Sequence, residues 1–430
     1  MAIVSTGSAP VTAAPSGGQT YRAALSMVTI LFFFWGFVTV LNDILVPHLK
    51  AIFDLNYAKV MLIQFAFFSA YFIFSLPSAK VIDTIGYKKT MVGGLLTMGL
   101  GAFLFLPAAS APSFFLFLAA LMVLAAGITA LQVAANAYVA VLGPPETASS
   151  RLNLAQAFNS LGTTVGPYVG GLFILGSAAV SADALKNMSA EALKAYRIQE
   201  ASSVKLPYAV IGIALVLFAL LIGMFRLPAM PEAERHGQQG SQASIWRYTH
   251  LVLGMVGIFV YVGAEVSIGS FLINYLSQPE IGNLSERVAA DYVTYYWGGA
   301  MVGRFVGSGI LRWVRTGTLL GTFALAAGAL VCTTMLTTGG VAVWSVILVG
   351  FFNSIMFPSI FTLGIAKLGP LTGDGSGLLV MAIVGGAILP VLQGVIADRI
   401  GIHHAFVLPI LCYLYIAYYA FRGSRPVVPA

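Results

Sequence analysis

Two carboxylates stand where hydrocarbon is expected. Asp43, in the stretch LNDILVPHL, interrupts a long run of apolar or uncharged residues that begins near Tyr21, and Glu265 does the same in YVGAEVSIGSFL. An ionisable group at the centre of a membrane helix costs about 2.5–3.5 kcal/mol on insertion scales, so it marks a proton relay or a ligand contact by default. Both acids are therefore candidates for proton coupling, and Glu265 also for substrate contact. Arg304, in GGAMVGRFVGS, is the one basic group deep in the second half of the chain and offers the bland alternative, a structural ion pair with either acid.

A second set of polar side chains shares helix faces. Gln132 and Asn136 are four apart, and Asn153, Gln156, Asn159 and Ser160 follow one another at spacings of one to three in RLNLAQAFNSLG. Residues three or four apart lie on one side of a helix. A single intramembrane amide is more often glue between helices; several on two consecutive helices point to a polar cavity. Amides both donate and accept, which suits the hydroxyls of a sugar. Asn42, beside Asp43, and Asn353, in FFNSIMFP, join Gln132, Asn136, Gln156 and Asn159 as candidate binders. Trp35, Tyr261 and Trp297 offer flat surfaces on which a sugar ring stacks, although any one aromatic is more often core or interfacial belt.

The elements that hold these groups are membrane helices. Of 430 residues 59% are hydrophobic and 9% charged, and mean hydropathy is +0.91. Apolar windows of about twenty residues, each able to cross a hydrocarbon core of ~30 Å, lie near 22–46, 58–82, 88–107, 113–141, 151–176, 205–226, 249–277, 289–313, 318–337, 341–368, 375–397 and 403–422. The expected fold is an all-α membrane protein of twelve transmembrane helices in two six-helix halves. Residues 1–21 are expected to form a disordered N-terminus, 22–226 the first half, 227–247 a cytoplasmic linker containing Pro, Gly and Gln, 248–422 the second half and 423–430 a tail.

Thirteen of the 22 Lys and Arg, including Lys88, Lys89, Arg151 and Arg226, fall at the ends that face inward if both termini are cytoplasmic; eight fall outside, and Arg304 is left within a membrane span. That bias sets the orientation. It also accounts for the net charge of +7 without a nucleic-acid partner. Cys332 and Cys412 are far apart, and His403 and His404 are adjacent rather than at metal-ligand spacing, so neither a disulfide framework nor a metal site is expected. A phosphate-binding Gly-rich loop and a nucleophile–base constellation are also missing, so the chain is not expected to be an enzyme or to need a cofactor.

Gly299, Gly303 and Gly307 are spaced for close helix packing around Arg304, Gly385–Gly386 interrupt the eleventh window, and Pro358 bends the tenth.

Between the second and third windows the chain reads AKVIDTIGYKKT, in which Asp83, Gly86, Lys88 and Lys89 match the inter-helix signature G-x-x-x-D-R/K-x-G-x-R/K-R/K of the major facilitator superfamily. Ala79 and Thr84 depart from it. Longer blocks, LNDIL, AANAYV, RLNLAQAFNS, HLVLGMVGIFVYVGAEVSIGSFL, GGAMVGRFVGS, FNSIMFP and AIVGGAILP, resemble the fucose/proton symporter family within it, and among these the bacterial glucose/galactose transporters. The resemblance implies Asp43 as the proton-coupling acid and Gln156 and Asn159 as sugar-binding amides. It implies a gating lock at Asp83, Lys88 and Lys89, to which Arg304 is added as a candidate. Fucose-type members carry Glu where this chain has Gln132 and Gln where it has Glu265, which argues against fucose.

The expected function is proton-coupled uptake of glucose or galactose by a monomer in a bacterial inner membrane, with monosaccharide, proton and lipid as its partners. A proton-independent facilitator, a transporter of mannose or N-acetylglucosamine, and more remotely a membrane sugar sensor are the alternatives.

Overall fold

A computed structural model describes residues 18–53, 57–110, 113–174, 204–230 and 244–426, together with scattered positions between 188 and 202; side chains at 18–20, 41–53, 57–61 and 168–174 lie outside that description. The side chains of Asn42 and Asp43, and most of the 227–247 linker, are therefore outside it.

The described elements are helices: α1 (Gly18–Phe53), α2 (Tyr57–Ser110), α3 (Phe114–Val141), α4 (Ala148–Ile174), α5 (Lys205–Met224), α6 (Thr249–Leu276), α7 (Glu286–Ile310), α8 (Thr316–Leu336), α9 (Gly339–Asn353), α10 (Met356–Gly364), α11 (Thr372–Met381), α12 (Gly385–Ile400), α13 (Ile402–Ala405) and α14 (Val407–Tyr418). No strand occurs among the described residues. At about 1.5 Å per residue, α2 would be far too long for one crossing. Its backbone leaves the helical region at Gly86 (φ 80°, ψ 168°), a conformation open to glycine and strained for other residues, and the chain turns back there.

Among the described residues, nine helical stretches are long and apolar enough to span a membrane, and Leu62–Ser110 is one of them. Counting that stretch as two passes and adding α4 and α7, the helices that carry Gln156, Asn159 and Arg304, accommodates the twelve expected. These two fall short on apolarity because they carry polar groups inward. The distribution of side chains is inverted relative to a soluble protein: Phe65, Leu206, Met224 and Leu411 are exposed, while Asn136, Asn153, Asn353 and Ser376 are fully buried.

Breaks in the later helices have local causes. Pro358 has no N–H for the carbonyl four residues back, that of Ser354, and the helix separates there into α9 and α10. A 3₁₀ turn at Ala382–Val384 divides α11 from α12. Opposite the first of these breaks, α7 comes very close: a Cβ at Gly303 would lie 2.5 Å from Ser354 Oγ and 2.6 Å from the Phe351 carbonyl. Glycine at that position is what permits the approach.

Arg151 is more than an anchoring charge. It is buried, and it donates to the carbonyls of Val139, Ala140 and Pro144 and to Thr147 Oγ1. It thereby closes the C-terminal end of α3, whose last turn carries no basic residue of its own.

Within the first half α1 packs on α4, and α2 on α3 and α5; within the second, α6 packs on α12, α10 and α14, and α8 on α9 and α14. The halves meet mainly where α4 faces α7 and α2 faces α11. These are the second and fifth passes of each half, exchanged, as expected of two repeats related by a pseudo-two-fold axis.

Candidate functional site

The polar residues of α3 and α4 converge on a cavity of ≈140 Å³ between the halves, lined by Trp35, Gln132, Gln156 and Asn159 from the first half and by Tyr261, Val262, Glu265, Arg304, Phe357 and Ile383 from the second. The first-half wall is neutral. Gln132 Nε2 donates to Tyr71 Oη at 2.8 Å, Gln156 Nε2 to Asn136 Oδ1 at 3.2 Å, and Asn159 Nδ2 to the Phe32 carbonyl at 3.0 Å.

The second-half wall carries charge. Glu265 Oε1 accepts from Tyr261 Oη at 2.7 Å and lies 3.9 Å from Arg304 Nη2, with only 12% and 14% of the two side chains exposed. At that separation the ion pair is long, and the guanidinium is held mainly by neutral partners. Its Nε donates to the Ser354 carbonyl at 3.2 Å, and its Nη1 donates to Ser160 Oγ on α4. The Ser354 carbonyl is the one that Pro358 leaves without a helical donor, so the break in the tenth pass creates the acceptor that positions Arg304. Arg304 thus touches both halves and the cavity at once.

Five predicted residues, Gln132, Gln156, Asn159, Glu265 and Arg304, meet in this cavity, with Trp35 and Tyr261 beside them. Asn136 sits one layer behind Gln156 and is fully buried. Asn353 is also fully buried, and both ends of its amide are taken: Nδ2 donates to Tyr296 Oη at 2.8 Å and Oδ1 accepts from Tyr413 Oη at 2.7 Å. Trp297 is 42% exposed and does not line the cavity. Tyr71, Phe357, Val262 and Ile383 were not singled out by sequence, and nothing in their spacing distinguishes them from other apolar or aromatic positions.

The signature turn forms a separate, larger cavity of ≈430 Å³, lined by Asp83, Lys88 and Lys89 and by Leu227–Met230. An added Cβ at Gly373 would lie 3.1 Å from Asp83 Oδ1, so the carboxylate abuts the first turn of α11, where unpaired N–H groups favour negative charge. Lys88 Nζ donates to the Gly223 carbonyl at 2.8 Å, at the C-terminal end of α5, where the preference is reversed.

Hydroxyl bonds join the halves at the same end. Ser150 Oγ donates to the Ser308 carbonyl at 2.7 Å and Ser308 Oγ to the Ser150 carbonyl at 3.0 Å. Ser149 Oγ lies 2.6 Å from Thr362 Oγ1 and accepts from Thr316 Oγ1 at 3.0 Å, while Ser376 Oγ donates to the Val133 carbonyl at 2.6 Å. The two halves are closed on each other at the signature end.

Comparison with known proteins agrees with this architecture. The sequence profile of the Major Facilitator Superfamily matches residues 25–383. The chain is 51% identical to a glucose/galactose transporter of Brucella abortus, over 97% of this chain and 98% of that one. It is 36% identical to the L-fucose-proton symporter of Escherichia coli, over 94% of each. The crystal structure of the Major Facilitator Superfamily transporter FucP in the outward conformation superimposes with a TM-score of 0.88 at 35% identity, covering 94% of this chain and 99% of that one. Helical passes in two repeats, a polar cavity between them, the signature turn and near full-length similarity together place this chain in the Major Facilitator Superfamily.

Proposed function

We propose that the protein takes up glucose or galactose together with a proton by alternating access. The observation that carries this reading is the cavity between the halves, with neutral amides on one wall and Glu265 with Arg304 on the other. Amides without a net charge suit a polyhydroxylated neutral solute, and a site at the interface of two repeats is where rocking of one half against the other alternates its exposure. The glucose/galactose and fucose–proton transport of the relatives supports both the solute and the coupling. Gln132, Gln156, Asn159, Glu265 and Arg304 bind the sugar, Trp35 or Tyr261 stacks on its ring, and Asn136 supports Gln156.

Asp43 carries the proton, with Glu265, on the second-half wall of the cavity, as a second titrating acid. Protonated toward the outside, Asp43 permits loading; deprotonated toward the inside, it favours release. The signature end is the cytoplasmic gate: Asp83 against the start of α11 and the hydroxyl bonds that join Ser149, Ser150 and Ser376 across the halves hold it shut, with Lys88 bracing α5 within the first half, so the described state faces outward. The protein resides as a monomer in a bacterial inner membrane with both termini in the cytoplasm, in keeping with the inward bias of Lys and Arg.

Uptake of labelled glucose into proteoliposomes tests the reading. Wild-type protein accumulates sugar above the external concentration when the outside is acid, and Asp43→Asn retains only downhill exchange. Full gradient-driven accumulation in Asp43→Asn would refute the coupling role. A second reading, a proton-independent facilitator, is favoured by one observation: Gln132 forms a neutral pair with Tyr71 at a position where fucose-type members carry an acid. It predicts counterflow that is indifferent to the pH gradient.

A further inference from the structure

Each of the three amides on the first-half wall spends its nitrogen away from the cavity. Asn159 Nδ2 serves the Phe32 carbonyl, an acceptor only, so chemistry fixes the orientation of that amide. Gln132 Nε2 is turned to Tyr71 Oη and Gln156 Nε2 to Asn136 Oδ1. None of the three oxygens has a hydrogen bond within the described protein, and none is among its buried polar atoms without a partner, although all three residues line the cavity. The oxygens therefore face the cavity.

We infer that the first-half wall of the cavity is an acceptor surface made by Gln132, Gln156 and Asn159, and that Tyr71 and Asn136 are positioning residues that fix this polarity. The inference rests on the sugar reading above and deepens it. On this side the solute's hydroxyls donate to the three amides, while donation to the solute comes from Arg304 on the opposite wall and from the indole N–H of Trp35. Asn136 holds Gln156 through its Oδ1, while its own Nδ2 is buried without a partner. Tyr71 is the more mobile control: a phenol accepts as well as donates, and its loss frees Gln132 to turn.

Deoxy and deoxyfluoro analogues separate a donating from an accepting wall, since a C–F group cannot donate a hydrogen bond and accepts one weakly. Purified full-length protein is challenged with labelled glucose, and displacement is measured with glucose, with each monodeoxy analogue and with the matching deoxyfluoro analogue. Where the deoxy analogue is weakened about tenfold or more, the scale of a buried acceptor left unpaired, the fluoro analogue is expected to be weakened equally at most positions. Fluoro analogues that displace as well as glucose at those positions would overturn the inference.

In Tyr71→Phe the fluoro analogue at one position should regain several-fold over its deoxy partner; a merely structural role would weaken both alike, and an unchanged ratio would remove Tyr71 from the account. If unlabelled glucose itself fails to displace the label, the sugar reading is what has failed.

Discussion

The two walls of the cavity are built on different principles. On the first-half wall, uncharged amides are each anchored once, by a phenol, by another amide and by a backbone carbonyl. On the second-half wall, Glu265 and Arg304 are 3.9 Å apart and depend on Tyr261, Ser354 and Ser160 for their remaining contacts. A neutral wall can recognise hydroxyls without paying for charge burial. A charged wall is poised, because each group depends on partners drawn from several helices and, at Ser160, from the other half. In the proposed reading, one repeat supplies neutral contacts to the sugar and the other supplies charged ones whose partners span several helices.

The largest effect is expected at Arg304. Arg304→Ala leaves Glu265 without its cation and frees the Ser354 carbonyl and Ser160, and losing one partner of a buried pair costs about 3–5 kcal/mol. With the ion pair long and both groups partly open to the cavity, the lower end of that range is expected. Thermal unfolding in detergent should show the loss, and transport should fall to background; Arg304→Met combined with Glu265→Gln should recover much of the stability but not the transport.

A smaller effect is expected at Asn353. Asn353→Leu strips the hydroxyls of Tyr296 and Tyr413 of their shared amide, at about 1–3 kcal/mol for buried polar groups left unpaired. Because Asn353 does not line the cavity, stability should fall while the affinity for glucose in the surviving protein stays within about twofold, less than a single hydrogen bond is worth. A large loss of affinity would return Asn353 to the binding set.

The smallest change is at the signature end. Ser150→Ala removes one of two reciprocal hydroxyl bonds to Ser308, worth about 0.5–1.5 kcal/mol. The population should shift toward opening at that end, read as faster labelling of a cysteine placed at Ser308 in the Ser150→Ala background than in the background with Ser150 intact. Equal labelling would mean the hydroxyl contacts do not hold the gate.

Much of this was legible in the chain. Helical period puts Gln132 with Asn136, and Gln156 with Asn159, on common faces, and the cost of charge in hydrocarbon picked out Glu265 and Arg304. Pro358 announced its break, and the glycines around Arg304 announced a close approach. Depth was not legible. Gln132 and Asn136 share a face, yet one lines the cavity and the other stands behind it, because spacing says nothing of where along a helix the cavity opens. Tyr71 is one of 18 tyrosines, and only the packing of α2 against α3 selects it. Trp297 and Asn353 had suitable chemistry but lie on α7 and α9 surfaces that miss the cavity. Asp43 is legible as an isolated acid in α1, and its side chain lies outside the described residues.

Binding of glucose to the purified protein, wild type against Gln156→Ala, is the decisive measurement, because Gln156 lines the cavity and, among the described residues, its side chain is hydrogen-bonded by Asn136 alone. Saturable binding that galactose displaces is expected for the wild type, and at least about tenfold weaker binding for the variant, the loss of a buried hydrogen-bonding group. Equal affinity in a well-folded variant would place the sugar elsewhere and contradict the account.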